Sequence, residues 1–277
     1  MRIDAHQHFW DLGRFTYGWM PPGPSVLRRN YLPENLAPIL ERNRFDGSVL
    51  VQANTAAAEA DWLLELATRH EFIKAVVAWV DLTDPKLGAR LDQLQRHPRF
   101  KGVRHPVHDE ADPRWLLRED VLRGLGELER REIPYDLLLR PVHLPLVPIL
   151  AERLPRLRMV IDHLAKPPIA RHSLEGWAEP FAAAAQYPQV WCKLSGMITE
   201  ADHRNWKTAH LLPYVAHALR CFGPERLMFG SDWPVCLLAG SWKQVLAAFT
   251  QAVGAQPLDV REKLLGGNAC AFYRITP

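Results

Sequence analysis

Arg2-Ile3-Asp4-Ala5-His6-Gln7-His8 stands at the start of the chain, and Leu227-Met228-Phe229-Gly230-Ser231-Asp232-Trp233-Pro234 lies near its far end. Each is a short apolar run that finishes in groups able to hold a proton or a cation. In an extended strand, residues two apart share a face, so His6 and His8 project together from the end of the first run. Asp232 finishes the last one. Two imidazoles and a carboxylate can share a divalent metal or an activated water only if the first and last strands lie side by side, and a closed barrel brings them there.

Between these ends the same unit recurs. Short β-rich runs stand at 2–6, 47–52, 75–81, 100–105, 135–139, 158–163, 190–195 and 227–232. Most are nearly continuous in apolar residues, the pattern of parallel strands buried on both faces. The intervening segments have helical period: Trp62, Leu63, Leu66 and Ala67 in one, Leu87, Leu91 and Leu94 in the next, then Leu117, Val121, Leu125 and Leu128. Pro33-Glu34 and Asp84-Pro85 mark helix starts, and Pro134 closes a helix just before its strand. No composition break divides the 277 residues, of which 48% are apolar. An α/β chain of this size with eight βα units predicts a single-domain (β/α)8 TIM barrel over 1–277.

Composition narrows the function. The formal charge of +3 comes from 34 basic and 31 acidic residues with no long basic run, which argues against a nucleic-acid partner. Cys192, Cys221, Cys236 and Cys270 form no CxxC pair and have no zinc-finger spacing, as expected of free thiols in a reducing cytoplasm. No signal-peptide pattern opens the chain, and no apolar stretch approaches the roughly 20 residues that span a bilayer. A cytoplasmic location and no membrane partner are therefore expected; the oligomeric state has no signature. GxSxG, GxGxxG after a strand, Walker A and HExxH are all absent.

In a (β/α)8 barrel the chemistry sits at the C-terminal strand ends, and the polar residues gather there. His6 and His8 suit a shared ligand or catalytic task. Asp232 follows an apolar strand without an immediate helix start, which favours a general base over a helix cap. His163 is placed to orient or polarise a carbonyl. Arg104, His105 and Lys193 are cationic or polar groups for an electron-rich or polyhydroxylated substrate, and pairing with Asp162 or Glu200 is the other reading. The long loop from Phe9 to Leu32 holds Trp10, Phe15, Tyr17 and Trp19 and reads as a lid. Trp10 and Trp233 are the aromatic faces expected to stack on a sugar ring, and a loop glued down by its own aromatics is the alternative.

Taken in order, Asp-x-His-x-His-Phe-Trp, Lys-Gly-Val-Arg-His, Asp-His-Leu-Ala-Lys-Pro, Cys-Lys-Leu-Ser-Gly and Gly-Ser-Asp-Trp-Pro cover essentially the whole chain. The set resembles the amidohydrolase superfamily, amidohydrolase-2 type, and within it the sugar-acid lactonases such as L-fuconolactonase and L-rhamnonolactonase. That resemblance implies a (β/α)8 barrel hydrolysing a small-molecule aldono-lactone, with His6, His8, His163 and Asp232 at the family's active-site positions. Strand five ends Leu138-Leu139-Arg140-Pro141, without the Lys or His ligand common in two-metal relatives. One zinc or manganese ion on His6, His8 and Asp232, with His163 as a further ligand, and hydrolysis without metal both remain open. The competing enzyme readings are dicarboxylate-lactone hydrolysis and non-oxidative decarboxylation of an aromatic acid. These need paired arginines, and only Arg104 and Arg140 end strands. A non-catalytic sugar-acid binding protein is the third reading, and it has no use for a general base.

Overall fold

Eight parallel strands, hydrogen-bonded in sequence order, form one sheet with helices between them. The computed structural model describes residues 1–20 and 22–276; Pro21, in the Pro-Pro-Gly-Pro run of the long first loop, and Pro277 lie outside the described residues. The strands are β1 (Ile3–Gln7), β2 (Gly47–Val51), β3 (Ile73–Ala78), β4 (Phe100–His105), β5 (Tyr135–Leu137), β6 (Met159–Ile161), β7 (Val190–Leu194) and β8 (Leu227–Phe229). The helices that follow them in turn are α1 (Pro33–Arg42), α2 (Ala57–Arg69), α3 (Leu87–Gln95), α4 (Glu119–Arg130), α5 (Leu146–Arg153), α6 (Ala178–Ala185), α7 (Thr208–Phe222) and α8 (Trp242–Val253), with α9 (Leu258–Glu262) and α10 (Asn268–Tyr273) at the end. This is a (β/α)8 barrel. Among the described residues, no helix is long and apolar enough to cross a membrane.

The helices bury the stripes their sequences carry. Leu87, Leu91 and Leu94 of α3, and Val121, Leu125 and Leu128 of α4, pack into the outer core between sheet and helices. Each buried leucine contributes about 2 kcal/mol of transfer free energy. Leu117 departs from the expected stripe: it lies in the short turn Trp115–Leu117 before α4 and is only partly buried.

Closure falls between β1 and β8, at the two segments that carry the candidate groups. The Asp232 N–H donates to the His6 carbonyl (2.8 Å) and the His8 N–H to the Trp233 carbonyl (2.7 Å). The barrel is thus sealed by backbone bonds made just beyond the ladder, at its C-terminal mouth.

A bulge in β1 decides what faces inward. Asp4 pairs with Ser48 and Gln7 with Leu50, so three steps on β1 match two on β2. The extra residue reverses the alternation. Asp4 points outward, accepting the Ser231 N–H and the Trp242 indole N–H, both at 2.8 Å, and Gln7 points outward to Ser48. His6 and His8 face the barrel interior. Without the bulge, Asp4 would share their face.

The opposite end of the barrel is filled by apolar residues. Ile3, Ala5, Val49, Val51, Ala75, Val77, Val160 and Met228 pack against Ala269, Phe272, Tyr273 and Ile275 of the C-terminal segment. Gly266 permits this docking: a Cβ there would lie 2.4 Å from the Met1 carbonyl oxygen and 2.6 Å from the Ile3 nitrogen.

Candidate active site

The barrel interior rises from that apolar base through a charged belt to an open cavity. In the belt, the Lys193 ammonium of β7 lies 2.6 Å from Asp136 Oδ2, 3.0 Å from Asp162 Oδ1 and 3.1 Å from His6 Nδ1, all with no solvent exposure. The Tyr273 hydroxyl donates to Asp136 (2.7 Å). Arg104 donates to the Gln52 carbonyl (2.6 Å) and to Asp162 (3.3 Å), and its Nη1 lies 3.3 Å from His6 Nε2. Burial pushes the Asp136 carboxyl up to about 6 against the pull of Lys193. Burial also opposes ionisation of Asp162, yet Lys193, His6 and Arg104 together hold it well below the usual range.

Above the belt, His8, His163 and Asp232 stand on the floor of a cavity of about 700 Å³. His8 Nε2 is 3.2 Å from His6 Nε2 and 3.4 Å from Asp232 Oδ1, and His163 Nε2 is 3.9 Å from the same carboxylate oxygen. Burial drives His6 and His163 well below the usual imidazole range and lowers His8, so all three rings are neutral near pH 7. Burial acts against the Asp232 carboxylate, but His163, His8 and Lys166 outweigh it and hold Asp232 below its ordinary value. It is therefore ionised near neutrality, as a general base must be.

Backbone strain aims these groups. His163, Leu164, Ala165 and Lys166 all have positive φ, from 53° to 57°, and Asp232 has φ 55°. Non-glycine residues in this region cost about 1–2 kcal/mol each, so the four make a turn of left-handed helix that needs support. The Trp177 indole donates to the Leu164 carbonyl (2.7 Å), and Lys166 pairs with Glu200 (2.7 Å). The runs expected at 135–139, 158–163 and 227–232 accordingly leave the ladder at Leu137, Ile161 and Phe229. His163 and Asp232 sit on the turns that follow the strands.

Other expected groups lie elsewhere. Lys193 has no face to the cavity, because its three donors are taken up beneath His6. His105 turns into a neighbouring hollow, stacked on Trp115 (centroids 4.1 Å apart) and bonded to Glu110 (2.7 Å) and the Trp79 indole N–H (3.0 Å). Trp10 is fully buried, donating to the Leu27 and Arg29 carbonyls and packed on Tyr31, so it holds the first loop together rather than meeting a ligand. Trp233 is likewise packed between Phe9 and Tyr31. Arg104 does reach the cavity wall.

The walls include Lys166 and His108, which the sequence reading passed over, together with Arg140 and with Tyr17 and Trp19 of the first loop. Burial, then the charges of Lys166, Arg140 and Arg104, push His108 down to about 3. The loop is pinned by the Tyr17 hydroxyl to Glu59 (2.5 Å), the Trp19 indole to the Ala53 carbonyl (2.8 Å) and Asn54 to the Thr16 carbonyl (2.8 Å). Glu59 also accepts the Asn54 N–H (2.7 Å), is fully buried, and is pushed by that burial up to about 7. The sequence reading missed Glu59; its place four residues before Leu63 on the helical stripe is the signal that could have found it.

His6, His8 and Asp232 form a set that could hold a metal ion. The His8 Nδ1 proton is committed to the Val51 carbonyl (2.6 Å), so its Nε2 lone pair faces a carboxylate oxygen with nothing electropositive between them. Tetrahedral bonds of about 2.0–2.2 Å place ligand atoms about 3.3–3.6 Å apart. The observed separations of 3.2, 3.4 and 3.8 Å lie within about 0.2 Å of that range.

The amidohydrolase family profile matches residues 3–275. An L-fucono-1,5-lactonase of Burkholderia ambifaria is 39% identical over 278 residues, covering 99% of this chain and 96% of the relative. A second L-fucono-1,5-lactonase, from Burkholderia multivorans, is 39% identical with the same coverage. A crystal structure of a Burkholderia multivorans amidohydrolase with bound zinc superposes with a TM-score of 0.94 at 38% identity, each chain fully covered. The chain belongs to the amidohydrolase family.

Proposed function

We propose that this protein hydrolyses a sugar-acid lactone to the aldonate, with L-fucono-1,5-lactone as the leading substrate. The observation that carries the reading is the convergence of ionised Asp232 with the neutral rings of His8 and His163 on the floor of a cavity whose wall bears Arg104, Arg140 and Lys166. The curated relatives of nearly full coverage supply the sugar.

Asp232 takes a proton from a water as the water oxygen bonds to the lactone carbonyl carbon. The carbonyl oxygen gains the negative charge and is met by donors on the floor and wall. Collapse re-forms the carbonyl and breaks the bond to the ring oxygen, which takes the proton held by Asp232. One water is consumed, and the new carboxylic acid releases a proton near neutral pH. A zinc or manganese ion held by His6, His8 and Asp232, when bound, would supply Lewis-acid polarisation at the same place.

A dicarboxylate substrate fits this cavity less well. Arg104 is committed to the Gln52 carbonyl and Asp162, and Lys166 to Glu200. Among the described residues, that leaves Arg140 as the cavity guanidinium with NH2 groups free to clamp a carboxylate.

The test is a pH-indicator assay on aldono-lactones, with chelator-stripped and zinc-supplemented protein run in parallel and the spontaneous rate subtracted. Turnover of L-fucono-1,5-lactone and its near stereoisomers is expected. Activity that survives stripping assigns the chemistry to the side chains alone. No turnover of any lactone in either form overturns the reading.

A further inference from the structure

Ser195 follows β7 directly and is fully buried; its Oγ lies 2.8 Å from His163 Nδ1, its one hydrogen-bond partner among the described residues. A hydroxyl has one proton to give, and a neutral imidazole has one protonated and one bare nitrogen. If Nδ1 held the ring proton, Ser195 would accept it and its own hydrogen would be stranded in a site closed to water. That arrangement costs about 1–3 kcal/mol. If Ser195 donates to Nδ1, both groups are satisfied and the ring proton sits on Nε2. Nε2 is the nitrogen that faces Asp232 and the cavity.

Two further features hold the ring in that pose. Gly196 has φ +62°, and a Cβ there would lie 2.7 Å from His163 Nδ1, so only glycine lets the loop close over this edge of the ring. On the other side, the left-handed turn that begins at His163 fixes where its Cβ points. His8 has the opposite tautomer, because its Nδ1 faces a carbonyl oxygen that can only accept. Two histidines on one cavity floor therefore present different chemistry: His8 a lone pair, His163 an N–H.

We propose that Ser195 is a positioning residue that holds His163 as the Nε2–H tautomer, making it the donor that meets the substrate carbonyl and keeping it out of the ligand set of any metal on His6, His8 and Asp232. The identity of the acceptor rests on the lactonase reading; the position of the proton does not.

The experiment is two-bond 1H–15N correlation NMR of the imidazoles in the native protein and in Ser195→Ala, with the His163 signals assigned by their loss in His163→Gln. Native His163 is expected to show a bare Nδ1 and a protonated Nε2, and Ser195→Ala to show mixed tautomers. Loss of such an orienting partner lowers activity by about 10–100-fold. That loss should fall on kcat with KM little changed, and Ser195→Cys, with its weaker donor, should recover part of it. Zinc added to the native protein should shift His8 Nε2 and leave His163 Nε2 protonated. A native Nδ1–H tautomer, zinc coordination at His163, or a Ser195→Ala variant with unchanged spectrum and unchanged kcat would overturn the proposal. If native protein turns over no lactone but the tautomer pattern is as stated and is lost in Ser195→Ala, the lactonase reading fails and the positioning role stands.

Discussion

Asp232 is buried, ionised and within 3.9 Å of imidazole nitrogens from both the exit of β1 and the turn after β6. Replacement by Asn keeps the shape and removes the base. Steady-state kinetics of Asp232→Asn should show kcat lower by about 10²–10⁴-fold. The melting temperature at neutral pH should fall modestly, since the folded state holds Asp232 below its ordinary value and so favours the ionised carboxylate that Asn cannot supply. Beneath it, Lys193 answers both Asp136 and Asp162. Lys193→Met leaves two buried carboxylates facing each other, and breaking such a pair costs about 3–5 kcal/mol. Urea denaturation is expected to show that loss, and the double variant Lys193→Met/Asp136→Asn should recover part of it. If the single variant unfolds no earlier than native, the belt is not a stabilising network.

At the scale of elements, the first loop and the start of α2 act as one unit through Glu59. The carboxyl accepts from Tyr17 and Asn54 with no cation bonded to it among the described residues, and its folded value of about 7 lies above its ordinary 4.5. The folded state therefore binds the proton more tightly than the unfolded chain. Stability from this group is full below about pH 4.5 and is lost as the pH rises through about 7. Glu59→Gln cannot ionise, so relative to native it should be clearly more stable at pH 8 and gain much less at pH 5. Thermal melts at the two pH values check this, and an equal difference at both would show that Glu59 does not titrate in this range. The loop's aromatics also mark a limit of legibility. Trp10 and Trp19 lie nine residues apart in one segment, yet one is core and the other lines the cavity. Aromatic content alone does not separate those fates, because both rest on the same burial of apolar surface.

Across the whole molecule, His6 and His8 belong to the first strand and its exit, and Asp232 to the exit from the last. A cation shared among them would staple the seam that closes the barrel. A ligand that binds only the folded state stabilises it by about 2.7 kcal/mol at a hundredfold excess over Kd. Zinc should therefore raise the melting temperature of the native protein, and His8→Ala should abolish the rise. No zinc-dependent shift in the native protein would count against a metal on this donor set.

The order of eight apolar runs and the polar residues at their ends are local properties, written in period and composition. They were enough to place the (β/α)8 barrel and to put His6, His8 and Asp232 at its mouth. Which partner each group meets is not local. The bulge in β1 that turns Asp4 outward, the left-handed turn that aims His163, and the burial of Lys193 under His6 arise from register and from long-range packing, which periodicity does not encode. Side-chain alternation assigns a residue to a face of the sheet; only the closed barrel, by bringing residue 6 beside residues 193 and 232, decides what that face contains.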